Sequence, residues 1–434
     1  MPHNKSINIP PIQFTPTEGI HDQVELVRNS FLDRKTRSVE FRKLQLRKLY
    51  WASVEPANVM LVRGDTNRQH RIHDNVYRIQ EALGRDLGRS KHEAILTETA
   101  WIQSDLLFIL KNMDKWVKDE SAQDIPLMLQ GLRPRIRKDP MGTVLIVGPC
   151  NYPFLLTMIP LFSAIAAGNT VVFKPSEVSA NCAVIIQELI EAALDPSCYT
   201  VVQGSIPQMQ ALLAERWDKI FFTGSANVGR IVAKAAAVHL TPVVLELGGL
   251  NPAIVTRHAN PRIVARRLLW AKTMNAGQTC TAQNYILIEK SILPKVMEEL
   301  RKAYQDFYPN GTRETPDYSR IVSDSAFQRL KSMIDESKGK IVFGGTLDEK
   351  ERYIEPTFIQ VDSLDDSMIV HEAFGPICAV VTVDNVDEAI KIANKVQDTT
   401  LGLAVFGTKE EQEKGKKVSQ RAGEDGENSQ CCLQ

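Results

Sequence analysis

Apolar positions along this chain follow two different rhythms. Over residues 24–49 they recur at helical spacing among many Arg and Lys, which predicts an amphipathic helix or a helix pair. The pattern breaks over residues 53–75, where Pro56, the Gly64-Asp65 turn signal and a polar run interrupt it. Helical periodicity resumes at Val76 and continues past Trp116. The first twenty residues are Pro-rich and polar, and predict a tail that is frayed or ordered only by contact.

After "IRKDPMG" the text becomes a strand–helix alternation. "GTVLIVG", "NTVVFKPS", "YTVVQG", "KIFFTGS" and "TPVVLELGG" read as short, apolar, buried-type strands with helices between them. Five such runs predict a doubly wound parallel sheet covered by helices on both faces. Beyond Gly249 the alternation starts again with new content. Helices are predicted over residues 263–274, 293–307, 326–338 and 386–396, with strands at "YILIEK", "KIVFGG" and "ICAVVTV". The fold class is α/β, a Rossmann-type parallel-sheet domain followed by a second α/β domain, with a boundary near residue 250.

Bulk composition narrows the function classes. Lys plus Arg equals Asp plus Glu at 52 each, so no global electrostatic case exists for nucleic acid or an anionic membrane as partner. The basic cluster "RPRIRK" reads as a solvated strand face. The seven cysteines are scattered and odd in number with no secretory signal before them, so a reducing compartment, the cytoplasm, is expected rather than a disulfide framework. No CxxC or HExxH spacing occurs and the eight histidines form no ligand-like pair, so no metal is expected. The longest apolar stretch, "FLLTMIPLFSAIAAG", is interrupted by Thr157, Pro160 and Ser163 and is too short to span a bilayer.

The candidate chemistry sits where strands end. The first sheet lacks GxGxxG, but "FFTGSANVG" runs from a strand into a helix: Gly224 allows close backbone approach, Ser225 is a good N-cap, and Gly229 lies in the first turns. A phosphate would suit that helix start, although a serine there is also simply a cap. Lys174 and Glu177 in "FKPSE" suit ribose hydroxyls, or equally a surface ion pair at a helix start. Asn151, between Pro149 and Pro153, is a primary amide in a stiff turn that could donate to an oxyanion. Glu246 in "LELGG" is a candidate general base at a strand end. Cys280 in "NAGQTCTAQNY" is either a buried small hydrophobe or a working thiolate.

Taken together, "PCNYP", "FKPSE", "FTGS", "LELGG", "GQTC" and "HEAFGP" resemble, in order and spacing, the motifs of the aldehyde dehydrogenase superfamily, most closely its class 3 or fatty-aldehyde branch. The resemblance covers most of residues 20–420, and Cys280 follows Glu246 by 34 positions (280 minus 246) as it requires. It implies NAD- or NADP-dependent oxidation of an aldehyde, medium- or long-chain aliphatic, to the acid through a cysteine hemithioacetal and thioester. It implies Cys280 as nucleophile, Asn151 and the Cys280 N–H as oxyanion donors, and Glu246 as the base for thioester hydrolysis. Lys174 and Glu177 would hold the adenosine ribose, Gly224, Ser225 and Gly229 the pyrophosphate, and Glu372 with Phe374 the nicotinamide half. Glu177 facing a 2′-hydroxyl favours NAD over NADP.

The same resemblance implies an NAD-binding domain over residues 1–120 and 141–249, an oligomerisation strand region at 121–140 in a homodimer, and a catalytic domain at 250–415. Three features depart from the pattern. Cys150 replaces a bulky residue, Gln283 stands where proline is common, and residues 53–74 have no counterpart. Relatives continue past residues 416–434 with a further strand and an interface arm, so the expectation is a truncated tail, an uncovered apolar sheet edge and a missing dimer arm. Two alternatives to oxidation follow: a remnant that at most binds dinucleotide, and esterase or acyl-transfer use of the same cysteine. The end "CCLQ" has the C-a-a-X form of a prenylation signal, but its second position is Cys432 and the upstream "EDGENSQ" is acidic, which argues for an accidental tail.

Overall fold

The computed structural model describes residues 7–53, 66–397 and 400–418, with side chains for all of these except Ser53 and residues 66–74. The CCLQ end and residues 54–65 of the atypical 53–74 stretch lie outside the described residues. The chain divides into two compact units, the first Met1–Asp86 with Ala94–Glu246, the second Leu87–Glu93 with Leu247–Gln434.

The first unit is organised by a five-stranded sheet, in the order Tyr199–Val201, Thr170–Lys174, Thr143–Val147, Lys219–Gly224, Val243–Leu247. The three pairings around Thr143–Val147 and Thr170–Lys174 are parallel. Both of those strands are buried at every residue, as expected for strands covered on two faces, which explains their unbroken apolar text. Helices Val39–Ser53, Ala100–Trp116, Leu155–Ala167 and Ala180–Ala193 pack on one another in this unit. The apolar rhythm of residues 24–49 proves to be a helix pair, Ile20–Leu32 and Val39–Ser53.

Two readings need correction. The helix containing Val76 begins earlier, at Thr66, where Ile72 is the single apolar residue in "TNRQHRIHDN" and one such residue shows no period. The helical rhythm read as continuing past Trp116 ends at Trp116 and is divided among several helices. It runs Thr66–Leu87, then Lys91–Ala94, a π-helical turn Ile95–Thr99 and Ala100–Trp116. Arg135–Ile136 within "RPRIRK" is an exposed strand, paired antiparallel with Glu120–Ser121.

The second unit holds a six-stranded sheet in the order Lys340–Phe343, Thr357–Gln360, Ile377–Val383, Tyr285–Glu289, Pro252–Val255, Ala404–Phe406. All its pairings are parallel except the first, which is antiparallel. Side chains alternate across it with period two. Ala253, Val255, Ile286, Ile288, Cys378 and Val380 face the helices Pro261–Thr273 and Leu293–Phe307. Ile254, Tyr285, Leu287, Ala379 and Val381 join the opposite core with Phe327, Leu330 and Ile390. Strands Pro252–Val255, Thr357–Gln360 and Ala404–Phe406 have no counterpart in the sequence reading.

Candidate active site

The candidate residues fall into two groups, one on each unit. In the first unit the chain leaves the central strand Thr143–Val147 to one side for Thr170–Lys174 and later returns to its other side for Lys219–Gly224. That reversal makes a topological switch point, and parallel pairing puts all three carboxyl ends on one edge, where open α/β sheets take ligands.

The Asn151 loop leaves the central strand at that edge and is fixed at both ends. The Gly148 N–H donates to the Lys174 carbonyl at 2.9 Å. A Cβ on Gly148 would stand 2.5 Å from Thr157 Oγ1, so only glycine fits there. At the far end the Leu155 N–H, opening the next helix, donates at 2.6 Å to the carboxylate of fully buried Glu98. A carboxylate at a helix N-terminus contributes about 0.3–1 kcal/mol. Asn151 itself is 3% exposed. Its neighbour Cys150 stays a neutral thiol, because burial pushes it up to about 11.

Lys174 ends its strand almost fully buried, with Nζ donating to Glu177 Oε2 at 2.9 Å and to the Pro175 carbonyl at 3.2 Å. Gly224 ends the next strand, where a Cβ would meet the Phe222 ring at 2.7 Å. Ser225 caps the helix Ala226–Ala237 by accepting from the Val228 N–H, and the buried Gly229 donates its N–H to the Ser225 carbonyl. First-turn N–H groups lack partners within their own helix and carry partial positive charge, which suits an anion. Glu246 is exposed, in the strand Val243–Leu247.

In the second unit Cys280 follows a rarely adopted backbone path. Asn275, Ala276 and Gly277 are all left-handed, with φ of 50°, 49° and 68°. For the two non-glycine residues this costs about 1–2 kcal/mol each. Side chains hold the turn in place: Asn275 Nδ2 donates to the Gln278 carbonyl, and Gln278 Nε2 donates back to the Asn275 carbonyl, both at 3.0 Å. Gln278 also accepts from the Val322 N–H and donates to the Arg320 carbonyl. Asn251 Nδ2 donates to the Cys280 carbonyl at 2.7 Å. Cys280 is partly exposed, whereas Cys182, Cys198 and Cys378 are buried.

Glu372 and Phe374 lie on a loop pinned by three side chains. Asn284 donates to the His371 carbonyl and accepts from the Ala373 N–H at 2.7 Å. Arg329 donates to the Glu372 and Ala373 carbonyls at 2.8 and 2.7 Å. Buried Lys272 donates to the Gly375 carbonyl at 3.1 Å, and burial pushes its ammonium pKa down. Phe374 is itself left-handed, with φ of 43°. The Glu372 carboxylate accepts from the Gly249 N–H at 3.1 Å, yet burial outweighs that bond and raises its pKa.

With this geometry described, comparison with known proteins decides the family. The profile of the aldehyde dehydrogenase family matches residues 69–430. The chain belongs to the aldehyde dehydrogenase family. It is 45% identical over 412 residues to the beta-apo-4'-carotenal oxygenase of Gibberella fujikuroi, covering 95% of this chain and 73% of that protein. It is 38% identical over 392 residues to the dimeric NADP-preferring aldehyde dehydrogenase of Rattus norvegicus, covering 90% and 82%. It superposes with a TM-score of 0.83, at 37% identity, on the substrate-bound state of Staphylococcus aureus AldH, covering 92% and 82%. This aldehyde dehydrogenase thus has the family's α/β fold and NAD(P)-dependent aldehyde oxidation as its activity. The reading as a remnant that only binds dinucleotide is not favoured.

Residues that the sequence reading left without a role are the supports: Glu98, Asn251, Lys272, Gln278, Asn284 and Arg329. Their signal is a polar residue in an apolar context. Asn251 and Asn284 each stand directly before a buried strand, and Lys272 lies on the buried face of its helix beside Leu268 and Leu269. Among the described residues His21, Glu25 and Glu215 bring ligand-type atoms within 4.8 Å, but Arg28 already pairs with Glu25. No helix among the described residues is long and apolar enough to cross a membrane.

Proposed function

We propose that this aldehyde dehydrogenase oxidises long, apolar aldehydes with Cys280 as nucleophile. The observation that carries the assignment is the fixed, partly exposed Cys280: its backbone is held by Asn251 and by a strained turn that packing alone has no reason to maintain. The Cys280 thiolate adds to the aldehyde carbon, and the resulting alkoxide is held by the Asn151 amide and the Cys280 N–H. Bound NAD(P)+ supplies the acceptor for the hydride that leaves this carbon. The sulfur remains bonded to the carbon as a thioester. Glu246 takes a proton from water, the hydroxide adds to the thioester, and the thiolate departs as the acid forms.

The residues present fit a dinucleotide. The switch-point edge brings together a buried Lys174 paired with Glu177 and a helix start opened by Gly224 and Ser225. Lys174 and Glu177 would hold the adenosine ribose, Ser225 with the Gly229 turn the pyrophosphate, and Glu372 with Phe374 the nicotinamide half. The Glu177 carboxylate repels a 2′-phosphate, which supports NAD as the preferred form. The polyene aldehyde in the name of the Gibberella fujikuroi relative supports a long apolar substrate.

A homodimer through residues 121–140 is supported by the exposure of Leu127, Met128 and Leu132 at 83%, 93% and 76% beside the small antiparallel strand pair. The scattered, odd-numbered cysteines, with no disulfide-framework spacing, support the cytoplasm as compartment. Replacing Cys280 with Ser tests the assignment. NADH formation at saturating long-chain aldehyde should fall by about 10³-fold or more while coenzyme binding persists. Turnover within tenfold of the parent rejects Cys280 as nucleophile.

A further inference from the structure

The left-handed turn before Cys280 has a second anchor, and it comes from a distant part of the chain. Glu93 reaches the turn from 182 residues upstream, with Oε1 accepting from the Asn275 N–H at 2.5 Å. Its other oxygen, Oε2, accepts from Ser319 Oγ at 3.2 Å. Both partners are fully buried and Glu93 is 9% exposed. Asn275 is the first residue of the left-handed run, so this bond fixes the point where the backbone departs from the helix Pro261–Thr273. The surroundings hold Glu93 in turn. Its own N–H donates to Ser90 Oγ at 3.1 Å. The Arg320 N–H, next to Ser319, donates to the Leu87 carbonyl at 2.7 Å. A Cβ on Gly88 would stand 2.9 Å from Arg320 Cγ, so residues 87–93 lie close against residues 319–320.

The chemistry of this contact suggests precision rather than net stability. Burial raises the Glu93 pKa, so desolvation works against the carboxylate, and the two buried donors it accepts offset that cost. A carboxylate does what an apolar side chain does not: it accepts two buried donors at once, from two segments that both bear on the cysteine turn. Gln278 joins the same two segments from the other side, bonding Arg320 and Val322.

We propose that Glu93 is a positioning residue for the nucleophile: by accepting the Asn275 N–H it holds the left-handed turn that aims Cys280. This rests on Cys280 being the nucleophile. It predicts that Glu93 acts on the reactivity of the thiol and not on coenzyme affinity.

The test compares Glu93→Gln with Glu93→Asp in the full chain, with thermal melts on both. Glutamine keeps an acceptor at the right reach, while aspartate keeps the charge but is one methylene too short. Glu93→Asp should lower kcat and the rate of Cys280 alkylation by iodoacetamide, followed by peptide mass spectrometry, about ten- to a hundredfold, the size expected of a misplaced reacting group. Its KM for coenzyme should stay within about threefold, and Glu93→Gln should restore both rates to within about threefold of the parent. Unchanged alkylation and kcat in Glu93→Asp, or a rise in coenzyme KM that accounts for the loss, overturns the proposal. If Glu93→Asp does not fold, Ser319→Ala replaces it. Alkylation slowed about two- to fivefold supports the proposal there, and an unchanged rate overturns it. Because alkylation is read at Cys280 without turnover, this outcome stays distinct from the Cys280→Ser result: an active Cys280→Ser enzyme rejects the nucleophile assignment, whatever Glu93 does.

Discussion

The carbonyl oxygen of Gly375 lies 2.3 Å from the point where a Cβ on Gly277 would stand, so the loop carrying Cys280 and the loop carrying Glu372 meet backbone to backbone. Lys272 Nζ donates to that same oxygen, which fixes it against movement. Gly277 also has φ of 68°. Gly277→Ala therefore combines a left-handed alanine with a clash against a carbonyl that has nowhere to go. The expected cost is about 2–4 kcal/mol of stability, read from denaturant melts, with loss of turnover in whatever fraction folds. A variant with the parent's melting midpoint and kcat would show that the two loops are free to part.

How much of this was legible in advance differs by level. The strands of the first unit announced themselves because they are buried on both faces, so "TVLIV" and "TVVFK" are unbroken apolar runs. The motif residues of the first unit were legible by resemblance and because Asn151, Lys174, Gly224 and Ser225 lie at or just after strand ends on one edge of a parallel sheet, whereas Cys280 and Glu372 stand before their strands and were legible by resemblance alone. What holds them was not. Asn251, Asn284 and Glu93 act on carbonyls and N–H groups 29, 87 and 182 residues away, and no local pattern encodes which backbone atom a buried amide or carboxylate will meet. The short strand Ala404–Phe406 was missed for a related reason. Its pairing with Pro252–Val255 spans 151 positions, as Ala404 opposite Ala253, and no local pattern shows it.

Glu372 gives the site a pH dependence with a definite sign. Burial raises its pKa above the ordinary glutamate value of about 4.3, against the opposing effects of the Gly249 N–H and of Arg329. If the ionised carboxylate holds the nicotinamide half, coenzyme affinity falls as pH drops through the raised value, sooner than an exposed glutamate would allow. The native carboxyl keeps its proton more tightly than the unfolded one, so its contribution to folding improves on the acid side and unfolding does not account for the loss. KM for coenzyme should rise on acidification, at a higher pH than an ordinary glutamate would cause, while Glu372→Gln has a high KM that is flat over the same range. An identical rise in Glu372→Gln removes Glu372 from coenzyme binding.

Glu246 stands exposed on the strand Val243–Leu247, where a carboxylate can meet water. In the proposed mechanism it is the base for thioester hydrolysis and acts after hydride has left the carbon. Glu246→Gln should keep a stoichiometric first burst of NADH and slow the steady state by about 10²- to 10⁴-fold, the usual span for a general base. Stopped-flow absorbance separates the two phases. Loss of the burst itself would place Glu246 before hydride transfer and reject this assignment.

We propose that the pair Lys174 and Glu177 sets the choice between the two coenzymes. Lys174 is almost fully buried, and its ammonium is bonded to Glu177 Oε2 at 2.9 Å, so one carboxylate charge is held at a fixed place beside the proposed ribose site. NADP differs there by a dianionic phosphate. A like charge about 4 Å away costs about 1 kcal/mol in water and about 4 kcal/mol at a partly screened protein surface, and the Glu177 side chain is 32% exposed. The lower part of that range applies, because solvent reaches the carboxylate and Lys174 offsets part of its charge. Glu177→Gln should therefore raise kcat/KM for NADP relative to NAD by about tenfold, equivalent to about 1.4 kcal/mol. The gain should shrink as ionic strength rises, because the repulsion it removes is screened by salt. Initial rates with both coenzymes at low and high salt measure it. A ratio unmoved by Glu177→Gln, or moved equally at both salt concentrations, rejects charge repulsion at Glu177 as the source of the preference.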